Sequence, residues 1–418
     1  MGLSAPHSIE RLRNLKRPFV LVACQSIDFF GDAAVCLRLA QGLVSQGAQV
    51  RILAEHRALG HLLAMAPDYA LEPSHGFIQT SPLAYWSLKD LLEPDHGLPI
   101  HQADLFLEAF QTQVPQSILA QLPNGAIRYC VDYLAFENWS EECQWLSAPD
   151  PGLSKCKRYW AAPSFHKKGP GFIKGGRLGR GDGPVQGNRQ ALRQRMIQRA
   201  RLSSEPALHS SGLVTGDDSV FLVFAYCYPS TPLHDFLNGL TTALGQLKVA
   251  FDKQALGAGS RTFYRVKRVV LFEPDQPTDN SKGLLSQREF DDCMAACDLA
   301  LVRGEDSLGT ALFCAASFAL PFIWQPYRQP DDAHLVKLEA WLGQAESSVP
   351  AWTQLHHFFS PCDADSEGRR DTTETLLALL SNWQALKNFC QLLGQEHLKR
   401  SSFEESLIAH WHSKRRVC

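Results

Sequence analysis

Phe19-Val20-Leu21-Val22-Ala23-Cys24 runs into Gln25-Ser26-Ile27-Asp28-Phe29-Phe30-Gly31-Asp32 and then into Ala33-Ala34-Val35-Cys36-Leu37-Arg38-Leu39-Ala40-Gln41-Gly42-Leu43-Val44-Ser45-Gln46-Gly47. The first six residues are uniformly apolar, the pattern of a strand buried on both faces of a parallel sheet. The last segment repeats apolar residues at helical spacing, with Val35, Leu39 and Leu43 on one face and Gly47 as a stop. Gln49-Val50-Arg51-Ile52-Leu53 reads as the next strand. Strand, polar loop, helix and strand make a βαβ unit, which implies a parallel sheet with a right-handed crossover.

Further strands are expected around Ile78, at 103–108 and at 126–131. The pattern restarts with a buried strand at 219–226, a helix over 233–247 and a strand at 266–272. A helix over 286–296, a strand at 299–302, a helix over 307–318 and a strand at 321–324 follow. Two consecutive α/β halves predict two Rossmann-like domains facing across a cleft. The expected division is 17–212 for the first, 213–385 for the second, and a helical tail at 386–418 packing back toward the first.

Composition narrows the chemistry. The 418 residues carry 41 Lys and Arg against 43 Asp and Glu, so no global field draws in nucleic acid or an anionic membrane. No apolar run approaches a membrane span, and the six-residue run near the start is too short for a signal peptide. A cytoplasmic protein is expected. The twelve cysteines are scattered without a CxxC pair, which suits reduced core thiols better than a metal site or disulfide framework. Neither G-x-G-x-x-G in the first βα turn nor a Walker A motif is present, which weighs against NAD, FAD and P-loop chemistry. Charge is uneven, however. Residues 155–201 hold thirteen Lys and Arg against one acid, Asp182, a net +12 that leaves the remainder at −14. This stretch, Gly- and Pro-rich at first and then a basic helical pattern over 189–202, is read either as a solvated interdomain excursion or as a docking surface for an acidic partner or a phosphate-bearing ligand.

Two turns carry residues that suggest chemistry. Asp28 and Asp32 flank Gly31 at the carboxyl end of the first strand, where open α/β sheets bind ligands. The pair suits a base or an orienting group, and equally a helix cap and an Asx-turn. Arg303-Gly304-Glu305-Asp306-Ser307 joins a strand to a helix, offering free N–H groups, a hydroxyl and a guanidinium to a phosphate. The two acids would repel that phosphate, so one of them should face something else; a plain helix start with dipole-favoured acids is the other reading. Phe224, Tyr226, Leu284, Gln287 and Phe290 fit either core packing or a nucleoside pocket whose polar edge Gln287 reads. His334, in Asp331-Asp332-Ala333-His334, reads as part of a capped helix start more than as a metal ligand.

In combination these residues are familiar. Asp28-Phe29-Phe30-Gly31-Asp32 resembles the D-N-Y/F-G-D element of the EarP-type protein-arginine rhamnosyltransferases, enzymes that modify translation elongation factor P. Four further segments match the family in the same order. They are Leu107-Glu108-Ala109-Phe110, Tyr133-Leu134-Ala135-Phe136-Glu137-Asn138-Trp139, Arg303-Gly304-Glu305-Asp306-Ser307, and Pro321-Phe322-Ile323-Trp324 running on to Asp331-Asp332-Ala333-His334. The resemblance implies a GT-B glycosyltransferase of α/β class, with the acceptor mostly on the first domain and the nucleotide sugar mostly on the second. It implies dTDP-β-L-rhamnose as donor, an arginine of elongation factor P as acceptor, inversion at the sugar, no metal or cofactor, and a monomer.

Carried over by position, Asp32 is the catalytic carboxylate and Asp28 helps hold the acceptor guanidinium. Tyr226, Arg303 and Ser307 grip the diphosphate, Glu305 and Asp306 orient the donor, Gly31 belongs to the donor-binding set, and Phe224, Gln287 and Phe290 hold the thymine. The chain departs from the family at Phe29 (usually Asn), at Phe136 (a small residue) and at Leu284 (a stacking aromatic), and it matches P-G-F…T-G-G-L only loosely at Pro170-Gly171-Phe172 and Gly175-Gly176-Arg177-Leu178. These departures bear on nucleobase preference and partner docking more than on reaction type. The alternatives are a related inverting transferase with another donor or acceptor, and a non-catalytic relative that binds nucleotide sugar or elongation factor.

Overall fold

The computed structural model describes residues 17–27, 30–69, 72, 81–93, 97–148, 156–175, 189–203, 219–252, 263, 266, 268–274, 285–329, 332–361 and 372–415. The first half runs β1 (Phe19–Cys24), α1 (Gly31–Ser45), β2 (Gln49–Ala54), α2 (His56–Met65), β3 (Leu83–Ser87), β4 (Leu105–Ala109), α3 (Gln116–Leu119), β5 (Ile127–Val131), α4 (Trp139–Cys143) and β6 (Lys157–Ala161). Its sheet has the order β3-β2-β1-β4-β5-β6, and every pairing is parallel. The all-apolar β1 lies at its centre with every residue buried, which is what a strand covered on both faces requires.

The second half continues with α5 (Arg189–Ser203), β7 (Val220–Ala225), α6 (Leu233–Asp252), β8 (Arg268–Phe272), α7 (Gln287–Ala295), β9 (Leu299–Arg303), α8 (Gly304–Phe318) and β10 (Phe322–Gln325). Then come α9 (Ala333–Ala345), α10 (Pro350–Phe359), α11 (Thr373–Ser381), α12 (Trp383–Lys399) and α13 (Phe403–Arg415). The second sheet, β10-β9-β7-β8, is parallel as well. Ser286 caps α7 with a reciprocal box to Glu289, fixing where that helix leaves its loop. The helical tail divides: α12 packs along α8, whereas Phe403, Leu407 and Trp411 of α13 enter the core of the first sheet.

The structure corrects several expectations. The strand around Ile78 falls outside the described residues; the described strand of this region, β3, lies at Leu83–Ser87, where Tyr85 and Trp86 are the strand-favouring residues. The basic stretch is not a solvated excursion where it is described. Its first part is the edge strand β6, and Phe165, Phe172 and Ile173 beyond it are buried. Its helix α5 lies against the second sheet, although the sequence grouped it with the first. Met196 and Ile197 are buried there, and Arg193 reaches Asp298 at 2.7 Å and the carbonyl of Ala296 at 3.2 Å. Apolar anchors and internal pairing, invisible in a charge count, draw these cations inward.

The halves share a packed seam. Phe136, in the loop after β5, is buried against Phe165, Trp324 and Trp341 at centroid distances of 5.3, 5.1 and 5.8 Å. Gln344 Nε2 donates to its carbonyl at 2.7 Å. The described cysteines are all free thiols. Among the described residues no helix is long and apolar enough to cross a membrane, and no group of three or more His, Cys, Asp and Glu could hold a metal ion.

Candidate active site

Strand order fixes where a ligand can sit. The first sheet reverses its winding between β1 and β4, the second between β7 and β9, and crevices open at the carboxyl ends of such strand pairs. The turn after β1, the residues after β7 and the β9–α8 turn therefore converge. They border one cavity of about 240 Å³ between the halves.

On the first side, Asp32 sits in the opening turn of α1, only 2% exposed, and its Oδ2 accepts the Ile27 N–H at 2.7 Å. Phe30 occupies the N-cap position, with no side-chain capping bond. Asp32 thus folds the preceding loop back onto the helix, with the carboxylate at the cavity wall. The Phe30 ring rests on His61 at 4.1 Å, and His61 Nδ1 meets Ser26 Oγ at 3.1 Å, which holds the other flank of the loop. Asp28 lies outside the described residues, as does Leu284. Tyr133, which lines the cavity, stacks on Phe110 at 4.5 Å. Glu108, in the same motif as Phe110, commits its carboxylate to Arg128 at 2.7 Å and Arg158 at 2.9 Å.

On the second side, the Arg303 guanidinium lies between the rings of Tyr226 and Tyr228, 4.3 and 4.8 Å from their centroids, and its Nη1 donates to the Cys227 carbonyl at 2.7 Å. Gly304 takes φ +66, a conformation that suits glycine and lets β9 turn directly into α8. Trp324 Nε1 pins that turn by donating to the Gly304 carbonyl at 2.7 Å. The helix begins three residues earlier than its apolar pattern suggested, so Glu305, Asp306 and Ser307 all belong to its first turn, where N–H groups have no partner within the helix. Ser307 Oγ donates to the Arg303 carbonyl.

The two acids of this turn are each taken up. Glu305 pairs with Lys337 Nζ at 3.2 Å and accepts the Leu134 N–H from the first half. Burial raises its pKa, which Lys337 and the amide partly oppose. Asp306 accepts from Arg38 Nε at 3.1 Å. Gln287 donates through Nε2 to the Ala34 carbonyl at 3.2 Å, and its buried Oε1 has no hydrogen-bond partner among the described residues. Phe290 stands edge-on to Tyr226 at 5.1 Å.

Gly31, Asp32, Tyr226, Gln287, Phe290, Arg303, Glu305, Asp306 and Ser307 therefore border a common cavity. Phe224 does not. It is wholly buried on β7, edge-on behind Phe290 at 5.1 Å, and so backs the wall without touching its contents. His334 is buried at the start of α9, and Asp332, the N-cap there, makes no capping bond, contrary to the capped start expected. Residues not anticipated are Tyr228, Lys337 and Arg38. Tyr226-Cys227-Tyr228 offered a period-two signal for the first, and a lone Arg38 inside an apolar helix was a signal for the last. Lys337 carried none.

A family model described as elongation-factor P (EF-P) rhamnosyltransferase EarP matches residues 21–412. A protein-arginine rhamnosyltransferase of Shewanella oneidensis is 26% identical over 397 residues, covering 87% of this chain and 88% of that one. One of Pseudomonas putida is 28% identical over 339 residues, covering 77% and 80%. A structure solved to explain EarP-mediated arginine glycosylation of translation elongation factor EF-P superposes with a TM-score of 0.51 at 19% identity, covering 95% of this chain and 99% of that one. Two parallel Rossmann-like sheets with a cavity at their facing carboxyl ends are the GT-B arrangement, and the chain belongs to the EarP family of elongation-factor P (EF-P) rhamnosyltransferases.

Proposed function

We propose that this protein transfers L-rhamnose from dTDP-β-L-rhamnose to an arginine side chain of translation elongation factor P, with inversion at the sugar carbon. The observation that carries the reading is the meeting, in one cavity, of a buried carboxylate from the first half and an arginine-flanked helix N-terminus from the second. That pairing suits attack by a nucleophile on one side and departure of a diphosphate on the other.

In this reading the acceptor nitrogen bonds to the anomeric carbon as the bond to the diphosphate oxygen breaks. A guanidinium holds its proton up to a pKa above about 12, so a carboxylate cannot strip it beforehand at neutral pH. Asp32, with Asp28 beside it in sequence, pins the guanidinium, localises its charge and takes the proton as the C–N bond forms. The leaving diphosphate needs no metal: Arg303, Tyr226 and the first-turn N–H groups of α8 stabilise it, and Ser307 joins them once its hydroxyl rotates off the Arg303 carbonyl. Thymine lies against Phe290, where Gln287 Oε1 is an acceptor for its ring N–H.

The deciding experiment is mass spectrometry of elongation factor P incubated with this protein and dTDP-rhamnose. One added deoxyhexose on one arginine is expected. An unmodified factor under conditions where the protein binds dTDP would overturn the reading.

A further inference from the structure

A helix N-terminus that receives a diphosphate should not also present two carboxylates, yet Glu305 and Asp306 occupy the first turn of α8. The conflict is resolved by two cations that reach in. Lys337 serves Glu305 from within the second half. The cation for Asp306 comes from the other half of the molecule and from 268 positions away in sequence.

That cation is Arg38, on α1 between Val35 and Leu39, and it is 5% exposed. Its Nη2 lies 2.6 Å from each carboxylate oxygen of Asp291 on α7, and its Nε lies 3.1 Å from Asp306 Oδ1. Thr310 of α8 adds a hydroxyl donor to Asp291 at 2.9 Å. One guanidinium therefore ties both helices of the donor side to the helix whose first turn carries Asp32. Burial alone would lower the Arg38 pKa, but Asp291 and Asp306 together raise it above the ordinary value, so the group stays charged.

The side chain is also braced from behind. Gly175 takes φ +61 against the Arg38 stem, and a Cβ there would stand 2.5 Å from Arg38 Cδ. The Gly175 and Lys174 N–H groups both donate to the buried Glu404 of α13, at 2.9 and 3.1 Å. Glycine here lets the backbone close on the Arg38 stem, and Glu404 anchors that backbone in place.

We propose that Arg38 is a positioning residue for transfer, a latch that sets the spacing between Asp32 and the donor-side helix N-terminus while partly offsetting the charge of Asp306 beside the place of the diphosphate. The assignment rests on the functional reading above. Asp32 and Arg38 lie six residues apart on one helix, about 9 Å along its axis, so the pair with Asp291 fixes the carboxylate through a rigid rod. A displacement of about 1 Å at such a site costs about 100-fold in rate.

The test is a double-mutant cycle on kcat with Arg38→Met, Asp291→Asn and the double variant, alongside dTDP titration and small-angle X-ray scattering. Asp291 does not line the cavity, which makes its variant a probe of the latch alone. Each single variant should lose about 100-fold in kcat, and the double variant should be no worse than the poorer single. Asp291→Asn should bind dTDP within about threefold of the wild type, whereas Arg38→Met should lose about tenfold through the exposed Asp306 charge. Arg38→Lys should recover that affinity but not kcat, because an ammonium cannot span both carboxylates. Scattering should show a larger radius of gyration for both single variants without ligand. Losses in kcat that multiply in the double variant, or single variants with wild-type kcat, would overturn the latch. Should the wild-type protein modify nothing, the functional reading fails on its own, and the scattering decides the latch: expansion in both variants supports it and unchanged curves refute it.

Discussion

Replacing Arg303 by methionine isolates what the guanidinium contributes, because the apolar stem is kept while the charge and the planar fork are lost. In the folded protein that group has a carbonyl partner at 2.7 Å and ring centroids at 4.3 and 4.8 Å. A hydrogen bond to a charged group is worth about 1.5–3 kcal/mol, and each partly desolvated ring contact about 0.5–2 kcal/mol. These contacts hold the guanidinium before any ligand arrives, so its interaction with a diphosphate carries little ordering cost. Losing a charge-assisted, two-pronged grip of about 3–4 kcal/mol should weaken dTDP binding by about 10²–10³-fold. Arg303→Lys keeps a point charge but loses the fork and the stacking, and should cost about tenfold. Isothermal titration with dTDP reads both variants, and a urea melt checks that each is folded. A folded Arg303→Met protein that binds dTDP within about threefold of the wild type would refute the role given to the β9–α8 turn.

Other outcomes follow from the same geometry. Asp32→Asn should abolish transfer to elongation factor P while dTDP binding persists, and near-normal turnover would remove Asp32 from the mechanism. Phe136→Ala empties a ring site shared by both halves and should cost about 3–5 kcal/mol in urea unfolding, with a loss below about 1 kcal/mol counting against the shared seam. Stability should also fall on mild acidification. His356 donates from Nδ1 to the Trp352 carbonyl and accepts the Trp324 N–H at Nε2, an arrangement that requires the neutral ring, and burial lowers its pKa to about 3. Burial lowers His397 to about 4. Unfolded histidines bind protons near pH 6.5, so the stability these two hold above that pH is lost as pH falls, by about 2 kcal/mol each at pH 5. Urea midpoints at pH 7.5 and pH 5 measure the loss, and equal midpoints would contradict it.

Much of the fold is legible in short stretches of the chain. The apolar run at β1, the helical spacing of Val35, Leu39 and Leu43, and the restart at β7 suffice to predict two parallel α/β halves. The expected strands at 103–108, 126–131, 219–226, 266–272, 299–302 and 321–324 each meet an observed strand within a few residues. What escaped was the material whose burial depends on distant neighbours. Lys157 and Arg158 disguise an edge strand as a basic loop, and the cations of α5 hide the apolar pair Met196 and Ile197 that seats it on the second sheet.

The site divides in the same way. Positions at the ends of β1, β7 and β9 could be picked out beforehand, because residue type at a strand-to-helix turn is a local property that strand order carries to the cleft. Whether a side chain faces the cavity was not local. Phe224 and Tyr226 lie two residues apart and both rings meet Phe290, yet only Tyr226, nearer the carboxyl end, reaches the cavity, because Phe290 closes over Phe224. The partners of the charges were less accessible still. Two acids crowding a helix N-terminus are written in the local sequence; their pairing with Arg38 and Lys337 exists only in the closed fold. Local sequence fixes backbone geometry through sterics and hydrophobic period. Charge pairing is settled by the dielectric and the distances that exist only once the two halves have closed on one another.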